Sequence, residues 1–203
     1  MPRGFTLVEA LVVLCIMAIL AAVGVPGLSR FVAERRVHAA ASDHAALLRN
    51  AQAEAIARNR VVEVLFTATA ATATSASAAG AMPSATGPHW LARQDPPEPD
   101  AAAPAGTRDP WVASRLAPAD AAVRVEPGGL LRIAFTPTGR ALDYGTPPGT
   151  AFGAPRVARF TDPRTERRFC VYVLPGGGSR LCDPTLADGS PGACLPALPA
   201  GAC

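Results

Sequence analysis

The sequence predicts an α+β protein: a long N-terminal helix, membrane-spanning in its first half, packed on a small antiparallel β-sheet domain. Three observations predict it. Residues 5–28 form an apolar run whose ionisable side chains are only Glu9 and Cys15. Residues 30–60 contain neither Gly nor Pro and place apolar side chains at helical spacing. The C-terminal half returns short alternating segments bounded by Pro, Gly or Asp.

The chain has 203 residues, enough for one domain with an appendage. Its apolar content is inflated by 43 alanines against only 11 aromatic residues, so the core must be small. Eighteen Gly and 21 Pro point to turns and connections rather than a helical bundle. All 19 basic residues are Arg, and a formal charge of +3 is too weak to imply nucleic acid or acidic lipid by itself.

As a helix, residues 5–28 extend about 36 Å at roughly 1.5 Å per residue, enough to cross a hydrocarbon layer of roughly 30 Å. Pro26 is expected to bend or interrupt the helix where the chain leaves that layer. A cleaved secretory signal, with Arg3 as its basic region and Ala21-Ala22 near the cut, or a plain anchor would also be apolar here. Neither explains Glu9, because an acidic group within a spanning helix costs a few kcal/mol and usually has a partner or a job. Cleavage after Gly4 would give it one. The new amine on Phe5 of one subunit would meet Glu9 of a neighbour, an attraction that is strong at low dielectric and sets axial register.

Gly4-Phe5-Thr6-Leu7-Val8-Glu9, an uncharged run and then Pro26 resemble the class III leader of type IV pilins and type II secretion pseudopilins. The resemblance implies that a prepilin peptidase cuts between Gly4 and Phe5 and N-methylates Phe5, and that Glu9 serves in assembly with other pilins or pseudopilins in a filament. It makes residues 1–4 a leader peptide, and with the long helix it implies a pilin-like fold. Arg3 precedes the span while Arg30, Arg35 and Arg36 follow it, so the positive-inside rule alone favours the opposite orientation. The resemblance and the cysteines instead place the body in the periplasm, on a single-pass anchor in the bacterial inner membrane.

Residues 29–60 read as a continuation of the helix outside the membrane. Val37, Ala41, His44, Leu48, Ala51 and Ala55 form a modestly apolar stripe facing a domain. Arg35, Arg36, Arg49, Glu54 and Arg58 fall mostly elsewhere, as a solvated face. His38 and His44 do not share a face, and His44 is expected to be a half-buried or capping side chain rather than a ligand. The segment AEAIARNRVVEV resembles the helix end and first strand of one subfamily, the GspH/FimT pseudopilins and minor pilins.

Residues 61–182 are expected to form the antiparallel sheet domain, beginning with a strand at Val61–Phe66. An Ala/Thr/Ser tract that is not expected to pack follows, and a second loose stretch runs from Asp95 to Pro110; about 67–110 reads as a low-complexity insert. Trp90 and Trp111, at the edges of these tracts, are expected to pin loops to the sheet. Segments 122–125, 131–135, 156–160 and 168–174 alternate like strands. IAFTPTGRAL and RRFCVYVLPGGGSRLC resemble the middle and the last hairpin of GspH/FimT proteins.

Cys15 lies inside the span as a small apolar residue. Cys170, Cys182, Cys194 and Cys203 are an even set that permits three pairings. Cys170 and Cys182 are symmetric about Gly176, so a hairpin turning there sets them opposite each other; a Cys170–Cys182 bridge is favoured, with Cys194–Cys203 closing a Pro/Gly-rich tail at 183–203. Zinc is disfavoured because no close CxxC pair is present, and no metal or cofactor is expected. Disulfides require an oxidising compartment such as the periplasm.

GxSxG, HExxH, phosphate-loop and dinucleotide-loop motifs are absent, so no catalytic residue and no enzymatic activity are expected. The resemblance implies a structural subunit, a minor pilin or pseudopilin acting in protein secretion or pilus assembly. The alternative is a DNA-binding minor pilin of the FimT type, serving DNA uptake in natural transformation. Such relatives carry a G-R-x-R motif in the final hairpin, where this chain has Gly177-Gly178-Ser179-Arg180 and lacks the first arginine. Arg164, Arg167, Arg168 and Arg180 are the candidate phosphate contacts.

Overall fold

The structure, a computed structural model, describes residues 6–69, 83–85, 89–95, 111–115, 122–143, 151–194, 198 and 203. Its dominant element is one helix, α1, spanning Leu7–Arg58 over 52 residues. Thr6 caps the N-terminus: its side-chain oxygen accepts from the Glu9 backbone N–H at 3.2 Å. At the other end Asn59 adopts the left-handed conformation (φ 51°), and Arg60 N–H donates to Ala55 O, satisfying a terminal carbonyl. The helix backbone is continuous through position 26. Pro26 therefore bounds no element, in contrast to the interruption the sequence allowed.

The apolar stripe is buried as its spacing requires. Val37, Ala41, Leu48, Ala51 and Ala55 are each at most 1% exposed. Ala dominates because the helix lies close against sheet residues, and a methyl leaves room for that approach. Packing on the domain starts at Ala33, whereas Leu7, Leu11, Leu14, Ile19, Leu20 and Leu28 are exposed in the isolated chain.

The strands form two antiparallel sheets rather than one. The first contains β1 (Val61–Thr67), β2 (His89–Asp95), β3 (Trp111–Arg115), β5 (Arg132–Phe135) and β6 (Ala141–Asp143), in the order β3-β2-β1-β5-β6. The second contains β4 (Arg124–Glu126), β7 (Arg156–Thr161), β8 (Arg168–Val173) and β9 (Ser179–Cys182), in the order β4-β7-β8-β9. Alternation sorts their side chains. Val62, Val64 and Phe66 of β1, with Phe160 of β7 and Phe169, Val171 and Val173 of β8, join the helix stripe in one core.

β2 lies within 67–110, between the Ala/Thr/Ser tract and the second loose stretch, and is a strand that alternation did not predict. It pairs along the whole of β1, from Val61 opposite Asp95 to Thr67 opposite His89, and Leu91 and Ala92 are fully buried. Its HWLARQD sequence carries no β-branched residue, so the strand is fixed by pairing and burial rather than by intrinsic propensity. Trp90 is a core residue of this strand, not a clasp on a loop. Trp111 opens β3, and its side chain lies outside the described residues, as does most of the Ala/Thr/Ser tract.

Two turns and the helix meet at one point. Gln52 of α1 donates from Nε2 to Gly139 O at 2.7 Å, between β5 and β6. Gly177, in the β8–β9 turn, has φ +93°, and a Cβ there would stand 1.9 Å from that same carbonyl oxygen. Gly177→Ala is therefore expected to destabilise the domain by more than about 1 kcal/mol, read as a lower urea midpoint, whereas Gly176→Ala, with open space around it, should shift the midpoint little.

Candidate functional site

The N-terminal turn carries the most specific candidates. Thr6 and Glu9 form the T-x-x-E pattern of a capping box, with Thr6 as the cap and Glu9 three residues on. Glu9 lies in the first helical turn, where the partial positive charge of the helix end favours a carboxylate. This local role was legible in the sequence, as a Thr three residues before a Glu, and it coexists with the proposed intersubunit role. Glu9 is exposed on an apolar helix face of which the domain buries nothing. Gly4 and Phe5 lie outside the described residues.

A buried polar centre links α1 to both sheets. His44 is 0% exposed, neither half-buried nor a cap. Its ring lies 4.8 Å from that of Phe66, 5.3 Å from Trp90 and 5.7 Å from Phe160, centroid to centroid. Neither ring nitrogen has a hydrogen-bond partner among the described residues. The sequence reading failed because His44 sits in the stripe itself, between Ala41 and Leu48, so full burial follows from the same spacing that buries its neighbours. Desolvation pushes its pKa down to about 3, so the ring is neutral.

Glu63 is the second buried group. It stands on β1 opposite Arg93 of β2, is 0% exposed, and accepts from Arg93 and from Arg132 of β5, the latter at 2.8 Å. A carboxylate in the apolar VVEVLF run is the sequence signal for such a partner. The triad ties three adjacent strands, and removing one member would leave an uncompensated buried charge.

The four candidate phosphate-binding arginines divide into two groups. Arg164 binds Asp162 through Nε at 3.1 Å and Nη2 at 3.0 Å, and this hydrogen bond holds the Asp162 carboxyl below the usual carboxylate range. Arg167 reaches Glu34 and Asp183, each at 3.7 Å. Arg168 and Arg180 are exposed on β8 and β9. Alternation places both on the outer face of the second sheet, flanking Cys170 and Tyr172. Leu198, Cys194 and Cys203 of the tail pack on that same patch. The four arginines therefore do not form one continuous basic surface.

The cysteines pair as Cys170–Cys203 and Cys182–Cys194, which corrects the favoured hairpin bridge and the Cys194–Cys203 closure. The hairpin does set Cys170 opposite Cys182. Counting from the bonded Leu174–Gly178 pair, alternation makes theirs a hydrogen-bonded pair, the wider kind, in which side chains stand further apart. Meanwhile Asp183 N–H donates to Gly192 O at 2.8 Å, laying the tail beside β9 and bringing Cys194 to a Cα separation of 4.8 Å from Cys182. The sulfurs of Cys182, Cys194 and Cys203 lie within 4.8 Å of one another but are all consumed in disulfides, so none is a thiolate ligand.

The model of the type II transport protein GspH family matches residues 40–177, from the buried stripe through the β8–β9 turn. The chain belongs to the GspH family. The prokaryotic N-terminal methylation motif matches residues 2–25, covering the capping box and the apolar half of α1. GspH-family proteins are structural pilin and pseudopilin subunits. Similar solved structures are two crystal forms of the type IV minor pilin FimU of Pseudomonas aeruginosa. One is 12% identical with TM-score 0.44, covering 75% of this chain and 98% of that one. The other is 14% identical with TM-score 0.46, covering 79% and 98%. No curated protein matches the chain.

For His44 the expected pH dependence has a definite sign. A folded-state pKa near 3 lies below the ordinary 6.5, so the folded chain binds fewer protons than the unfolded one between those values. Its contribution is complete above pH 6.5 and is lost as pH falls, by about 1.4 kcal/mol per unit. Urea unfolding from pH 7 to 4 should show a steeper loss for the wild type than for His44→Phe; equal slopes would contradict the neutral buried ring.

Proposed function

We infer that this chain is a minor subunit of a type II secretion pseudopilus or type IV pilus. In this reading prepilin peptidase removes residues 1–4 and methylates Phe5, and the helix is then extracted from the inner membrane into a filament. The observation that carries it is the match of the methylation motif at residues 2–25 to an apolar helix holding one carboxylate, Glu9. The apolar half of α1 has two successive surroundings that cover it, lipid before assembly and the helices of other subunits after.

Glu9 contributes through charge. The Phe5 amine and Glu9 are four residues apart in the mature chain, one helical turn, so two helices packed with a small axial offset bring one subunit's amine to the next subunit's carboxylate. At low effective dielectric this pairing discriminates strongly against other offsets. The periplasm is the compartment consistent with two disulfides in the body and with the leader.

Packing rather than nucleic-acid binding is the better-supported role. The arginines offered for phosphate contact form no continuous track: Arg164 and Arg167 lie at the β7–β8 turn beside Asp162, Glu34 and Asp183, whereas Arg168 and Arg180 lie on the outer sheet face where the tail packs. Structural subunits need no catalytic group, and the buried His44 and Glu63 are isolated from any surface substrate.

Three variants test this reading in the native host. Gly4→Ala should leave the leader uncut, seen as a slower band on a gel. Glu9→Val and Glu9→Gln should both be cut, yet incorporate into sheared filaments at least tenfold less. Glu9→Gln is the decisive one, since it keeps the capping pattern and removes only the charge. Its normal incorporation would eliminate the proposed ion pair.

A further inference from the structure

A cleft of about 490 Å³ opens between α1 and the β7–β8 turn, lined by Arg30 and Glu34 of the helix and by Pro163, Arg164, Thr165, Glu166 and Arg167. We propose that this cleft seats the phosphate of an anionic phospholipid of the outer leaflet, docking the domain on the membrane before assembly.

The level of the cleft follows from the helix. If residues 5–28 span the bilayer, as the proposed function requires, Arg30 emerges about 3 Å and Glu34 about 9 Å beyond the hydrocarbon edge. The headgroup layer on each side is about 5–8 Å thick. Arg30 therefore lies within it and the β7–β8 turn at its outer boundary. Phe31 is 54% exposed near that depth, with the Arg35 guanidinium 5.1 Å from its ring centre.

The cleft retains donors for an anion. Arg30 is exposed and forms no ion pair among the described residues. Arg167 stands 3.7 Å from both Glu34 and Asp183, too far for the roughly 2.8 Å bonds that would saturate it. The side chain of Arg164 remains 46% exposed while its fork holds Asp162, and that ion pair fixes the turn. Three arginines, Arg30, Arg164 and Arg167, and two glutamates, Glu34 and Glu166, line the cleft, so the balance of its lining is basic. A polynucleotide requires an open track, whereas here the bilayer closes one side.

The test uses the full chain in nanodiscs of phosphatidylcholine alone or with about one quarter phosphatidylglycerol, with hydrogen exchange of amides 164–168 as readout. Exchange should slow about fivefold in the anionic discs, and the slowing should disappear in Arg30→Gln/Arg167→Gln and persist in Arg124→Gln, an exposed β4 residue outside the cleft. Equal exchange in both discs would overturn the proposal, as would the same slowing with inorganic phosphate or duplex DNA added to phosphatidylcholine discs. Failure of the chain to insert would remove the span and the proposal with it. Normal filament incorporation of the double variant would leave the assembly role intact, and slowing in a chain defective in assembly would support the lipid site alone.

Discussion

A single helix of 52 residues has to be compatible with two environments, and most of the architecture follows from how its sequence divides between them. Its first half is apolar on every side, since hydrocarbon or neighbouring helices surround it fully. Its second half is apolar on one narrow stripe, because only the sheets cover it. The change occurs between Leu28 and Ala33, where Arg30 enters and burial starts. Small side chains in the stripe let both sheets approach the same helix, so one core draws on both sheets with few large residues. The polar members of that core, His44 and Glu63, are tolerated differently: one sheds its charge, and the other is matched by two guanidinium groups.

The same division explains why Glu9 stands apart. In the domain each buried charge finds its partner within the chain. On the first half of α1 no basic side chain follows Glu9 until Arg30, so a partner must come from the chain's own new terminus or from another subunit. The capping box contributes locally by orienting the first turn, and it leaves the carboxylate at the surface of an otherwise apolar cylinder. A GspH-family subunit with this helix is therefore poised for lateral association rather than for chemistry.

Much of this was legible in the sequence. The stripe from Val37 to Ala55 was written in spacing alone, and the strands around Val61, Arg132, Arg156 and Arg168 in alternation bounded by turn residues. β2 was not legible, because HWLARQD has little β character and stands between tracts of low complexity; its partner β1 decides it. The division into two sheets was hidden for a related reason: strand partners distant in sequence leave no local pattern. The cysteine set was visible and its pairing was not, since symmetry about Gly176 fixed which residues face each other but not which pairs are the wide ones, nor the return of the tail along β9. His44 was visible as a stripe member, and only its complete enclosure by three aromatic rings needed coordinates.

The central claim is that a charge pair created by proteolysis organises this helix. Intact-mass analysis of the chain isolated from native membranes tests it directly. The account predicts a polypeptide beginning at Phe5 with one methyl group on its amine. A chain retaining Met1, or one trimmed near Ala22, would lack that amine beside Glu9 and would contradict it.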